Sequence, residues 1–321
     1  MLKLGTYPTP VARLDSLSTP TTSLWIKRDD LTNPLYGGNK VRKLAHLLED
    51  AQLRGAMQVV TVGSVGSHHV LATGVFGKLA GMRVDAALLA QPRSAHVLET
   101  VRASVAQGVG LFPADSYTQA ARRLQSWVAA GAYYIPAGGS NRIGTLGMVA
   151  AALELAEQVR SGELPEPDLI VVPLGSGGTV AGLLAGLARS GLCSRVLAVT
   201  VAQPPGLFEH QARALAKTLV EPALRPHLLQ RLEVERGYLG AGYGHATPQG
   251  AAATEQAAGA GILLDPTYTS KAFAAALARV TRGSESHILY WQTLSSASLA
   301  PLLVGAPLEH ELDPEVLRLA R

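Results

Sequence analysis

Short apolar runs alternate with stretches of helical period along most of the chain. The runs at 23–29, 57–63, 83–90, 109–112, 132–136, 168–174, 195–202 and 287–293 read as strands. Between them, 39–53, 67–80, 93–107, 116–130 and 143–160 read as helices, and a further helix follows the glycines after position 174. Strands separated by helical segments predict βαβ units, a parallel sheet and an α/β fold. Beyond its first residue, DLIVVPL (168–174) has no polar position, as expected of a strand covered on both faces. SGELPEPD (161–168) is the one linker-like stretch and reads as a loop between lobes. The Gly- and Pro-rich region 223–247 predicts irregular loops of the kind that form sites.

Composition narrows this picture. A chain of 321 residues, 47% hydrophobic, can form a large core in two lobes. Charged residues make up only 16%, so many elements should be covered on both sides. There are 28 Lys and Arg against 24 Asp and Glu, a net charge of +4 without any basic run. This excludes a nucleic-acid stripe and suits a pocket for a small anion. The single cysteine, Cys193, excludes an intrachain disulfide and a cysteine-based zinc site. No leader or membrane-spanning stretch is read, so a soluble cytoplasmic protein is expected.

Three glycine-marked turns carry the candidate chemistry. In GGNKVRKLAHLLEDA (37–51), Lys40 and Lys43 share the stripe of Leu44 and Leu47. Either the two lysines snorkel from a frayed helix start, or burial lowers the basicity of one so that its free amine can form a Schiff base. In LGSGGTVAG (174–182), an apolar strand runs into Gly175, Ser176, Gly177, Gly178 and Thr179 and then a helix. Backbone N–H groups at such a helix start suit a phosphate, although a tight turn without a ligand has the same pattern. A dinucleotide fingerprint fails at Val180, and a nucleotide-binding P-loop lacks its Lys-Ser/Thr. In TVGSVGSHHVLATG (61–74), Ser67 is either an N-cap or a ligand-binding serine. The adjacent His68 and His69 cannot face one metal from one helix side, and no metal site is expected. A hydrolase elbow fails around Ser64 at Val62 and around Ser176 at Leu174. Tyr243 and Tyr268 lie in Gly- and Pro-bounded turns, as packing residues or as active-site phenols.

Taken in order, GGNK, the Ser67 turn, the glycine-rich turn and DP-x-Y-x-x-K (265–271) resemble the pyridoxal-phosphate enzymes of the tryptophan-synthase-β fold type. Within them, the chain resembles the D-cysteine desulfhydrase and 1-aminocyclopropane-1-carboxylate (ACC) deaminase branch. The resemblance runs from IKRDDLT (26–32) to LYWQT (289–293) and is most specific over 26–44, with support from IPAGGSNRIGTLG (135–147). It implies two open, mostly parallel sheets flanked by helices. It also implies a larger cofactor-binding domain of 1–43 plus 154–321, a smaller domain of 44–153, the cofactor in the cleft between them, and a homodimer.

The resemblance also implies roles. Lys40 would carry pyridoxal 5′-phosphate and move protons at the substrate α-carbon, and Asn39 would lie beside the ring. Lys43 and Gly175, Ser176, Gly177, Gly178 and Thr179 would bind the phosphate. Ser67, His68, His69 and Tyr268 would contact a small amino-acid substrate, with His68 also reaching the cofactor. Ser67, Tyr243 and Tyr268 would join Lys40 in catalysis, a desolvated phenol losing or shuttling a proton. Thr269 would face the pyridine nitrogen and Thr293 would line the cofactor. These two threonines resemble the desulfhydrase pattern, whereas ACC deaminases carry Glu and Leu there. The implied activity is a lyase: α,β-elimination from a small amino acid such as D-cysteine, giving keto acid, ammonia and sulfide. ACC deamination is the alternative within the class. Four positions depart from the family pattern: Gly66 stands for Gln, His68 for Asn, and Leu294 and Ser295 for the two glycines of Thr-Gly-Gly after Thr293. A cofactor-binding protein with a diverged pocket is therefore the alternative outside the class.

Overall fold

The β-branched and leucine-rich runs pair into two sheets, each covered by helices. The computed structural model describes residues 2–204 and 206–321. In chain order the strands are β1 (Val11–Arg13), β2 (Ser23–Lys27), β3 (Gln58–Ser64), β4 (Arg83–Leu89), β5 (Gly110–Pro113), β6 (Tyr133–Ile135), β7 (Leu169–Leu174), β8 (Arg195–Thr200), β9 (Leu232–Glu235) and β10 (His287–Trp291). The helices are α1 (Asn39–Leu53), α2 (His68–Leu79), α3 (Ala95–Ala106), α4 (Tyr117–Ala129), α5 (Arg142–Arg160), α6 (Gly178–Ser190), α7 (Leu207–Thr218), α8 (Arg225–Gln230), α9 (Pro248–Gly259), α10 (Thr269–Arg282) and the short α11 (Pro314–Leu317).

One sheet has the order β1-β2-β10-β7-β8-β9 and the other β5-β4-β3-β6. All neighbours run parallel except β1, which is antiparallel to β2. The α/β class with two open, mostly parallel sheets is therefore as expected. All six residues of β7 are buried. Ile170, Val172 and Leu174 join the core under α5 and α6, while Leu169 and Val171 join Phe273 and Tyr290 on the other face. Each fully buried Leu or Val side chain contributes about 1.5–3 kcal/mol relative to exposure, so this strand is a main anchor of the sheet. The smaller sheet has its own core of Leu47, Val59, Phe76, Val84 and Ala86.

Several elements differ from the sequence reading. Residues 161–168 link α5 to β7, and α5 packs on α6, so this stretch is a turn within the layer that covers the larger sheet. The region 223–247 holds α8 and β9, six and four residues long, too short to show a period. Helices α9 and α10 have alanine where an apolar stripe would stand, so burial follows a pattern of small residues. Positions 44 and 153 lie within the helices α1 and α5. These two helices touch backbone to backbone: a Cβ on Gly147 would lie 2.1 Å from the Arg42 carbonyl oxygen.

Candidate active site

A cavity of about 510 Å³ opens where the carboxyl ends of strands from both sheets converge. Its wall includes Ser64 at the end of β3, Ala90 after β4, Gly175 after β7, Ala202 after β8 and Thr293 after β10. Ligand sites in open parallel sheets form at this edge.

The start of α1 is held by backbone crowding. A Cβ on Gly37 would lie 1.9 Å from the Asp30 carbonyl oxygen, and one on Gly38 2.6 Å from that of Thr293. Gly38 also has φ +95°, a left-handed conformation that only glycine adopts at little cost. This seats Lys40 and Lys43 on the cavity wall. Lys40 Nζ donates to Asn39 Oδ1 at 2.9 Å, and Asn39 Nδ2 donates to Thr179 Oγ1 at 2.9 Å. Burial lowers the Lys40 amine to about 8, against a smaller opposing pull from Asp265. Lys43 is buried, and its Nζ donates to the Gly138 carbonyl at 3.1 Å. Burial, and then the charge of Lys40, hold it well below its ordinary range. The snorkelling alternative is thereby excluded for Lys43.

The turn before α6 interlocks with the turn at 137–140. Gly177 caps α6 with φ +86°. Ser140 Oγ pairs with Ser176 Oγ at 2.8 Å and accepts from the Gly178 N–H at 3.1 Å. Gly175, Ser176, Gly177 and Thr179 line the cavity. Gly178 does not: a Cβ there would meet Ser140 Oγ at 2.4 Å, so this glycine admits the close approach of the 137–140 turn. A buried lysine bonded to a carbonyl, beside a helix N-terminus, is chemistry that suits an anion: a phosphate there restores the charge that burial suppresses on Lys43. Lys40, an amine of lowered basicity on the same wall, suits a carbonyl carbon.

Ser67 caps α2, its Oγ accepting from Val70 N–H at 3.4 Å, and it also lines the cavity. Both readings of this serine therefore hold in the geometry. His68 and His69 line the cavity as well. His69 Nε2 lies 2.9 Å from Thr61 Oγ1, whose hydroxyl donates to the Ile135 carbonyl. Burial, then Lys40 and Lys43, push His69 down to about 3, so the ring is neutral. Tyr243 and Tyr268 meet hydroxyl to hydroxyl at 2.8 Å, with rings edge to face. Lys271 Nζ donates to the carbonyls of Leu239 and Gly242, fixing the loop that carries Tyr243. Burial raises both phenols, Tyr268 the more. Raised in this way, the two phenols suit donating or shuttling a proton.

Thr269 is turned away from the cavity and is fully buried. Its Oγ1 donates to Asp265 Oδ2 at 2.7 Å, and its backbone N–H donates to the same oxygen at 3.2 Å. The expected contact with the pyridine nitrogen is therefore corrected: an acceptor four residues earlier captures the hydroxyl. Thr293, Leu294 and Ser295 do line the cavity, and Ser295 Oγ accepts from the Gly37 N–H at 2.8 Å. Sequence reasoning missed Asp265, Tyr36, Tyr117 and His245 on the wall. For Asp265 a signal existed, since D-P-T-Y is an Asx-type turn sequence. Among the described residues there is no cluster of metal-ligating side chains, and no helix is long and apolar enough to cross a membrane.

Fold and site together are those of an enzyme built around a phosphate-bearing carbonyl cofactor. Residues 2–291 match the family of pyridoxal-phosphate dependent enzymes, and the chain belongs to it. The nocardicin C-9′ epimerase of Nocardia uniformis subsp. tsuyamanensis is 35% identical over 95% of this chain and 96% of that protein. The D-cysteine desulfhydrase of Klebsiella pneumoniae (strain 342) is 33% identical over 93% of this chain and 94% of its own. The crystal structure of an ACC deaminase homologue superposes with a TM-score of 0.79 at 30% identity, covering 94% of this chain and 95% of that one.

The lowered basicity of Lys40 sets a pH dependence that needs no substrate. The neutral amine is the nucleophile, and it dominates only above about pH 8. The rate at which cofactor-free protein captures pyridoxal phosphate is therefore expected to rise with pH through about 8 and then level off. The growth of the visible band after mixing measures this, and a rate still climbing well above that pH would contradict the lowered amine.

Proposed function

We propose that the protein is a pyridoxal-phosphate-dependent lyase that carries out α,β-elimination on a small amino acid of the D-cysteine type. One observation carries the reading: a weakly basic amine and a pair of proton-holding phenols line the same cavity. Lys43 and the turn of Gly175, Ser176, Gly177 and Thr179 would hold the phosphate, with Asn39 and Thr293 beside the ring. Once bound, the cofactor supplies an electron sink that makes the hydrogen on the substrate α-carbon acidic. Lys40 takes that proton. The Tyr243–Tyr268 pair donates a proton to the departing sulfur, so sulfide leaves neutral. Ser67, at the positive end of α2, receives the substrate carboxylate. Water then completes the reaction to keto acid and ammonia. With its hydroxyl held by Asp265, Thr269 stands away from the cavity, and of the two threonines only Thr293 bears on the choice of substrate. The reading rests on the amine and the phenols instead.

Epimerisation is a second reading, favoured by the 35% identity to an epimerase. It uses the same removal of the α-proton and returns a proton to the opposite face. The homodimer, the cytoplasmic location and the division at 44–153 belong to the same proposal through the resemblance.

Titration of the purified holoenzyme with D-cysteine tests the proposal. The visible band is expected to shift and decay as sulfide and pyruvate accumulate. Conversion of D-cysteine to its L form without sulfide would favour epimerisation, and 2-oxobutanoate from ACC would favour deamination. A band that none of these amino acids perturbs would mean a diverged pocket.

A further inference from the structure

We propose that Tyr36, His68 and His96 form a proton path from the cavity wall to the protein surface. The inference rests on the proposed function in one respect, that the reaction moves protons in this cavity.

Both ring nitrogens of His68 are engaged. Nδ1 lies 2.7 Å from the Tyr36 hydroxyl, and Nε2 lies 3.0 Å from His96 Nε2. Tyr36 is buried and lines the cavity, while His96 is partly exposed. A bond between two imidazole nitrogens needs one that carries hydrogen and one that is bare. With no free nitrogen, His68 is poorly placed to act on a substrate directly, and a ring that merely fills space would not need His96.

The contact is built by the backbone. His68 is the first residue of α2 and His96 the second of α3, so both rings sit at helix N-termini. A Cβ on Gly66 would lie 2.6 Å from Val97 Cγ2 and 3.2 Å from Val97 Cα. Only glycine at 66 lets the first turn of α3 approach this closely. Ser94 fixes that turn by accepting from the Val97 N–H at 3.2 Å. Thus two departures from the family pattern, Gly66 and His68, serve one contact.

The groups that face His68 are Tyr36, His96, Lys40 and Asp265. Burial comes first among the causes that push its imidazolium down to about 4; His96 and Lys40 add to it and Asp265 opposes. A proton therefore passes through this ring without lodging there. When a group in the cavity gives a proton to the Tyr36 oxygen, the Tyr36 proton moves to His68 Nδ1. The His68 Nε2 proton moves to His96 Nε2, and His96 releases its other ring proton to water. One proton enters, one leaves, and both rings end neutral in the opposite tautomer. The reverse sequence resets them.

Two measurements test the path, one without substrate. In the resting holoenzyme labelled with ¹⁵N-histidine, NMR is expected to show one protonated and one bare Nε2, with the His68 ring signals displaced by His96→Ala. Two rings that titrate independently and ignore each other's substitution would overturn the path, whatever the substrate. In turnover, His96→Ala is expected to lower the D-cysteine rate about tenfold, below the hundredfold or more of a proton donor that touches substrate. Added imidazole should restore the rate, because the vacated position is near solvent. An unchanged rate, or a loss that imidazole leaves untouched, would also overturn it. If the natural protein shows no D-cysteine turnover, the substrate assignment fails while the NMR result still decides the path.

Discussion

Replacing Lys40 with alanine is expected to reduce D-cysteine turnover by at least about 10⁴-fold while leaving the fold intact. The amine has two roles in the proposed reaction, as the attachment point for the cofactor carbonyl and as the base at the α-carbon. The other lysine on this wall cannot take over. Lys43 Nζ is tied to the Gly138 carbonyl and is buried one helical turn away. Lys40 bonds to Asn39 and stands in no ion pair among the described residues, so its removal strands no carboxylate. The melting temperature should therefore change little. Borohydride reduction and mass spectrometry give an independent readout. Cofactor mass should appear on the peptide containing Lys40 in the natural protein and on no peptide of Lys40→Ala. Turnover within tenfold of the natural rate would refute the role of Lys40.

Removal of the Arg42 side chain, on the opposite face of α1, should act on stability instead. The guanidinium donates to both carboxylate oxygens of Asp29, at 3.0 Å from Nε and 2.8 Å from Nη2. It donates to Glu154 at 2.9 Å from Nη1 and Nη2, and it lies 4.3 Å above the Tyr7 ring. Asp29 has no exposed surface, and its remaining partners include the Trp291 indole N–H at 2.8 Å and the Thr9 hydroxyl at 3.0 Å. Arg42→Ala leaves a buried carboxylate without its cation, a loss of about 3–5 kcal/mol. Thermal unfolding of the holoenzyme should show a clear drop, and Arg42→Lys should recover only part of it, because an ammonium cannot form the two-pronged pair. Equal melting temperatures for Arg42→Ala and the natural protein would mean that α1 is anchored by packing alone.

The sequence carries the alternating elements between β2 and β8 clearly, because their apolar runs are bounded by glycine and polar turns, even at β5 and β6, only four and three residues long. It carries less where alanine replaces leucine, as in α9 and α10, or where a short strand has no helical segment and glycine turn to bound it, as in β1 and β9. For the site, spacing alone brings Lys40 and Lys43 to one wall, and the glycine signals mark both turns that the cavity uses. The directions of individual side chains are not in the spacing. Thr269 turns inward because Asp265 competes for its hydroxyl, and Gly178 is spent on the approach of Ser140. The meeting of His68 with His96, 28 positions on, depends on how two helices abut. Gly66 permits that approach, but nothing in either local segment names the helix that makes it.

The position of β10 between β2 and β7 has a consequence for synthesis. All four strands of the smaller sheet lie between residues 58 and 135, so they can pair while the ribosome is still making the rest, and Leu302, Leu312 and Val316 complete its core last. In the larger sheet, β2 has only the three-residue β1 beside it until residues 287–291 emerge, and a two-stranded pair is marginal in water. The nascent chain must therefore carry β2 with only that marginal partner for most of translation. The cavity wall at Thr293, Leu294 and Ser295 follows that same last strand, so no partly made chain has a complete pocket in which to hold a cofactor.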